Sequence, residues 1–226
     1  MYLILIGCEY AGTTTLAHAI NEWSKENLGT EFKLIHDHYK LPDTKPHGAE
    51  LTPEDIAAFQ QLSPRLTEVI QRHNLYYHTP WASGSDDNFM GIGLYFEELV
   101  YAPKYYGYGG RGQEGDRGKI SRLLEQRILQ FRPDAVLVLL HAASEVIRRR
   151  MTESPHPYPV VPAEDVEHIT QRFEEEFENS LIQQKFTLDT STASVAESVA
   201  EFAAKIQPYL TAGDLLRQAL QQGKAG

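Results

Sequence analysis

With 226 residues, 42% of them hydrophobic, the chain is long enough for one compact α/β domain with a buried core. A formal net charge of −10 and a pI near 5.4 exclude a broad nucleic-acid surface, so no nucleic acid polymer is expected as a partner. The lone cysteine, Cys8, has no disulfide partner, and the apolar start of seven residues is too short for a signal peptide or a membrane span; a cytoplasmic setting away from membranes is expected.

Short apolar runs alternate with segments of helical period, the pattern of a parallel sheet with helices between its strands. Tyr2–Ile6 (YLILI) is continuously apolar, as a strand buried on both faces must be. Residues 14–27 follow with Leu16, Ile20 and Trp23 on one helical stripe. Strands are predicted at 32–36 and 89–94, the latter loosened by Gly91 and Gly93. Between them, helices at 53–61 and 64–75 each carry proline in the first turn, where its missing N–H costs least. The six glycines of 107–118, GYGGRGQEGDRG, predict a mobile loop. A helix at 119–131, a strand at 135–140 (AVLVLL), helices at 144–151 and 163–181, a strand at 185–188 and a helix at 195–210 complete the pattern. We read 1–210 as a single domain and 211–226 as a C-terminal tail helix.

Residues 7–15, GCEYAGTTT, join the first strand to the first helix. That order makes an anion site by geometry alone: backbone N–H groups converge, and the helix N-terminus adds about half a positive charge. Gly7 and Gly12 permit the tight path, and the N–H groups of Ala11, Gly12, Thr13 and Thr14 point at the anion. Thr14 stands where a hydroxyl would ligate Mg²⁺, and Thr13 and Thr15 add donors. The spacing is Gly-x-x-x-x-Gly-x-Thr, but Thr13 occupies the place where such loops carry a lysine. A hydroxyl does not replace a charge, and Glu9 deepens the deficit, so another cation must reach the phosphates. An ordinary strand-to-helix turn is the competing reading; the strand before and the helix after argue against it. His36 and His38 flank Asp37 on one strand face, but no third and fourth zinc ligands are evident.

Three further stretches join the loop in a resemblance. AVLVLLHAASEVIRRRM (135–151), VEHITQRFEEEFENS (166–180) and FTLDTSTASVAESV (186–199) resemble the P-loop nucleoside and nucleotide kinases, in the branch that holds the thymidylate and deoxynucleoside kinases. The resemblance implies a three-layer P-loop NTPase fold of the α/β class, with a mainly parallel five-stranded sheet, helices on both faces and a lid around 148–162. It implies ATP and Mg²⁺ as cofactors, bound at 7–15 with Asp189 of the Asp189–Thr190–Ser191 loop beside them. Arg148 and Arg150 would lie over the ATP phosphates; three consecutive arginines on a helix fan over about 200°, so at most two face one site. Arg172 on the following helix could join them. Asp37 falls where these kinases keep their general base. Glu97, or else its neighbour Glu98, would hold Mg²⁺ or accept the acceptor's proton, and only one of the two can face the site. The tyrosines between 76 and 108, with Trp81, would line the acceptor pocket. Arg111, Arg117 or Lys119 of the glycine-rich segment, or else Lys40, would supply the missing charge. The implied activity is ATP-dependent phosphotransfer to a nucleoside, nucleotide or similar small hydroxyl substrate, with a homodimer left open. The rival is a catalytically degenerate relative that binds a nucleotide or a protein partner.

Overall fold

The computed structural model describes residues 1–32, 34–37, 51–80 and 88–224, with the backbone course alone for 34–37 and 224. Five strands form one parallel sheet: β1 (Tyr2–Ile6), β2 (Leu34–Asp37), β3 (Phe89–Ile92), β4 (Ala135–His141) and β5 (Lys185–Asp189), in the order β2-β3-β1-β4-β5. Ile4 pairs with Gly91 on one side and Leu137 on the other, so β1 is the centre of the sheet. Its residues Leu3 to Ile6 have no exposed surface, which is what an unbroken apolar run requires.

The helices are α1 (Thr13–Leu28), α2 (Pro53–Gln60), α3 (Pro64–His78), α4 (Leu94–Tyr101), α5 (Arg117–Phe131), α6 (Ser144–Glu153), α7 (Val166–Glu178), α8 (Val195–Ile206) and α9 (Ala212–Lys224). From β1 the chain steps to β2 in one direction, and from β3 it passes β1 to reach β4 in the other. Right-handed crossovers therefore put the two sets of connections on opposite faces. Accordingly α1 packs with α8 and α9, while α4 packs with α5 and α7, and α6 with α7. The result is three layers, helix on sheet on helix.

Several boundaries differ from those the sequence suggests: α5 opens at Arg117, two residues early, and α8 closes at Ile206, followed by a 3-10 turn, Gln207–Tyr209. β3 ends at Ile92, because Gly93 turns the chain at φ +70° and donates its N–H to the Leu5 carbonyl at 2.8 Å; Leu94 then opens α4. The expected helix over 163–181 begins as a 3-10 turn, Ala163–Asp165, and its α-helical part stops at Glu178.

The segment expected to be a mobile loop, 107–118, is braced instead. Asp116 caps α5 by accepting from the N–H groups of Gly118 (2.9 Å) and Lys119 (3.3 Å), and also from Gly112 (2.8 Å). Arg117 is wholly buried: its Nε donates to Glu98 Oε2 at 3.1 Å, its Nη1 to Glu68 Oε1 at 2.9 Å, and its guanidinium stacks 4.9 Å from the Tyr108 ring. Tyr108 in turn donates its hydroxyl to Glu98. A cation so enclosed cannot fold over bound phosphates.

Candidate functional site

The glycine loop leaves β1 at the C-terminal edge of the sheet, where parallel α/β folds place their sites. A Cβ on Gly7 would lie 2.7 Å from the Leu140 carbonyl oxygen of β4, so the loop must begin with glycine to pass that close. Ala11 N–H turns back to Cys8 O at 2.9 Å, so this donor, expected to face the anion, is spent within the loop instead. Tyr10 takes a left-handed backbone at φ +67°, and Gly12 follows at φ +97°. Gly12 caps α1 without any side-chain hydrogen bond, and the first turn of the helix begins with Thr13, Thr14 and Thr15. Thr14 and Thr15 are exposed and Thr13 is half-buried.

Two clefts flank this turn. The larger, about 470 Å³, is lined on the loop side by Tyr10 to Leu16 and on the far side by Arg150, Thr190, Ala193 and Val195. The smaller, about 280 Å³, runs from Gly7 and Glu9 to Glu97, Tyr101 and Tyr158. Tyr10, Thr13, Thr14, His156 and Pro157 line both, so the clefts meet above the loop.

Glu97 and Glu98 part company on α4. Glu98 is buried with Arg117 and Tyr108, whereas Glu97 lies folded against Gly93 and faces the smaller cleft. The arginines of α6 divide in the same way. Arg150 lines the larger cleft, where its Nη1 donates to Tyr10 O at 3.0 Å and its Nη2 to Thr190 O at 2.6 Å. Arg148, on the other side of the helix, donates Nε to Ala163 O at 3.0 Å and lines neither cleft; Arg149 is exposed beside Glu153. Arg172 pairs with Glu175 and Glu176 on its own helix.

Asp189 is exposed and lines neither cleft. It accepts from Ser191 N–H at 2.8 Å, and the hydrogen bonds from Ser191 hold its carboxyl below the usual range. The cleft wall is Thr190 instead, whose hydroxyl donates to Ala11 O at 2.8 Å and so ties the loop to the end of β5. Asp37 ends β2 opposite Ile92; its side chain, like His36, His38, Lys40 and Trp81, lies outside the described residues. Of the expected acceptor-pocket tyrosines, Tyr95 donates to buried Glu125, Tyr105 to Asp165 and Tyr108 to Glu98. Tyr76 and Tyr77 are exposed on α3, so only Tyr101 of that set reaches the cleft. Tyr101 is buried, which pushes its hydroxyl well above the ordinary range, and it accepts from Glu9 N–H at 3.1 Å.

The resemblance implied a lid around 148–162, but sequence reasoning missed how its part after α6 forms a strap fastened across the loop. After α6 the chain runs through Pro155, His156, Pro157, Tyr158 and Pro159 to Val161, and two loop residues fasten it. Glu9 Oε2 accepts from the N–H groups of Val160 (2.9 Å) and Val161 (3.0 Å), and Glu9 Oε1 meets His156 Nδ1 at 2.9 Å. The Tyr10 ring stacks on His156 with centroids 3.9 Å apart, and its hydroxyl accepts from His156 N–H at 2.8 Å. The alternating prolines of SPHPYPVVP were the available signal that this run is neither helix nor interior strand.

No family model matches the chain, and neither does any curated protein. Solved structures do. Thymidylate kinase from Candida albicans superposes with a TM-score of 0.57 at 14% identity, covering 92% of this chain and 91% of its own. Deoxyadenosine kinase from M. mycoides, solved with dCMP and dCDP, gives 0.56 at 15% identity over 93% and 100%. The same enzyme with bound dATP gives 0.53 at 14% identity over 91% and 99%. The chain has the fold of the P-loop nucleoside and nucleotide kinases. The match runs almost end to end in both partners. Identity at this level carries the fold alone, and the chemistry has to be argued from the site.

Proposed function

We propose that this kinase-fold protein is an ATP-dependent phosphotransferase whose acceptor is a nucleoside, nucleotide or similar small hydroxyl compound. One observation carries the reading: two clefts of different size share Tyr10, Thr13, Thr14, His156 and Pro157, and so converge on one strand-to-helix turn. A transfer between two substrates needs that arrangement, because donor and acceptor must meet in line at the phosphoryl group. In this reading the larger cleft takes the donor and the smaller the acceptor.

The residues present fit Mg²⁺ that arrives with a nucleotide. Thr14 and Glu97 line the same cleft, yet no group of three His, Cys, Asp or Glu among the described residues could hold a metal unaided. Mg²⁺ characteristically takes one or two protein oxygens and completes its shell with phosphate and water. When bound it would neutralise phosphate charge. The chain's own contribution is then positional. The loop backbone holds the phosphates, Arg150 fixes the loop against Thr190, and Glu97 stands by the acceptor to receive its hydroxyl proton, with Asp37 as the second carboxylate proposed for that task. A cytoplasmic setting, where ATP and Mg²⁺ are abundant, belongs to the same reading.

Calorimetric titration with ATP, with and without Mg²⁺, tests it first. We expect Mg²⁺-dependent binding with a dissociation constant below about 1 mM, the floor of useful affinity for a small ligand, followed by turnover on at least one member of a nucleoside and nucleotide panel. Absence of binding at millimolar ATP overturns the proposal. Thr13 in place of the lysine favours a second reading, a degenerate kinase that binds nucleotide without transferring phosphate. Binding without turnover across the panel selects it.

A further inference from the structure

The loop lacks a cation, and the strap offers one. Residues 154–162, SPHPYPVVP, contain no lysine or arginine, so His156 is the strap's sole source of positive charge. Among the described residues lining the two clefts, only Arg150 and His156 can be cationic. Arg150 already donates from both terminal nitrogens, to the carbonyls of Tyr10 and Thr190, which hold it at the wall of the larger cleft. His156 differs: it lines both clefts, its side chain is 45% exposed, and of its ring nitrogens only Nδ1 has a described partner, Glu9.

Resting on the phosphotransferase reading, we propose that His156, aimed by Glu9, replaces the missing loop lysine as the phosphate-contacting cation. Three contacts fix the ring above the loop: the Glu9 carboxylate at Nδ1, the Tyr10 ring against its face, and the Tyr10 hydroxyl at its backbone N–H. Nδ1–H points at Glu9, so Nε2 is the nitrogen left for a ligand where the clefts join. An imidazole between a carboxylate and a phosphate has an acceptor on either side, and only the doubly protonated ring satisfies both. Charge and donor therefore come together where charge develops in the transfer. The other charged and titratable groups around it, among the described residues, are Arg150 in the larger cleft and Glu97, Tyr101 and Tyr158 in the smaller. The arrangement also gives Glu9 a purpose. As a bare charge in the phosphate loop it would repel the ligand; spent on His156 and the Val160 and Val161 N–H groups, it is a positioning residue.

The test uses calorimetry with ATP, inorganic tripolyphosphate and adenosine as probes. His156→Phe keeps the stack on Tyr10 and removes the ring nitrogens. It should weaken ATP and tripolyphosphate about tenfold, the range of one lost charge-assisted hydrogen bond, and leave adenosine unchanged. His156→Gln, which stays polar and neutral, should behave alike. Glu9→Gln should show a smaller loss with the same phosphate selectivity. Adding Thr13→Lys to His156→Phe should restore ATP affinity, while Thr13→Lys alone should gain less. ATP affinity within twofold of wild type in both His156 variants overturns the assignment and leaves the phosphotransferase reading standing. An equal loss for adenosine and ATP also overturns it, because the residue would then only hold the strap. Failure of the wild-type protein to bind ATP or tripolyphosphate overturns both.

Discussion

Two glycine-bearing segments of this protein carry charge, and they dispose of it in opposite ways. In the turn after β1, Tyr10 to Leu16 line a cleft, and the turn's one carboxylate, Glu9, is fastened to the overlying strap. In 107–116, the positive-φ glycines wind the chain into a tight knot, and Arg117 is drawn inward to Glu98, Glu68 and Tyr108. The first segment leaves a charge deficit facing a cleft, where a ligand can answer it. The second answers Asp116 and Arg117 internally and leaves Arg111 and Glu114 exposed to solvent, away from both clefts. Glycine content and nearby arginines therefore do not distinguish a binding loop from a structural one; what does is whether the charges find partners within the fold.

The contrast can be broken most severely at the knot. Arg117→Met leaves Glu98 buried without its cation, and removing one partner of a buried pair costs about 3–5 kcal/mol. Urea unfolding should register that loss, while ATP affinity of the folded fraction stays at the wild-type value; a specific loss of ATP binding would move Arg117 back into the site. At the cleft the reverse holds. Glu97→Gln should leave stability nearly unchanged and reduce kcat about 100-fold, the usual worth of a positioned base, as measured by a coupled assay on the best acceptor.

Smaller effects sharpen the same comparison. Gly7→Ala brings a methyl against the Leu140 carbonyl and should cost about 1–3 kcal/mol by thermal unfolding, together with ATP affinity, since the loop must shift. Gly12→Ala meets no neighbour within 4 Å and should cost only the left-handed backbone, about 1 kcal/mol. Asp116→Ala removes the cap of α5, worth about 1 kcal/mol at pH 7. Backbone N–H groups, that of Gly112 first, hold the Asp116 carboxyl below its ordinary value. A folded-state value lower than the unfolded one means stability that is full above the ordinary aspartate range and lost as pH falls through the lower value. The gap between wild type and variant should therefore be constant near neutrality and close as pH drops below about 4.

Sequence alone located every strand to within two or three residues, because a central parallel strand announces itself as an unbroken apolar run. It also located the phosphate-loop spacing, and the glycines at 7 and 12 are where close approach and positive φ require them. Side-chain direction was less legible. Period alone could state that Glu97 and Glu98 face apart, as do Arg148 and Arg150, but not which of each pair turns to the cleft. That choice depends on α4 packing against α5 and α7, and on the path of the strap, neither of which local spacing encodes.

Local order along the chain thus determined the fold: apolar runs, helix starts and the GCEYAGTTT turn are written in neighbouring residues. Only the tertiary structure decided what each charge does. Glu9 and His156 stand 147 positions apart, and Arg117 and Glu68 stand 49 apart. Whether a charge is spent inside the fold or kept for a ligand depends on which partner the packing brings within hydrogen-bond reach, and that distance does not exist until the sheet has assembled.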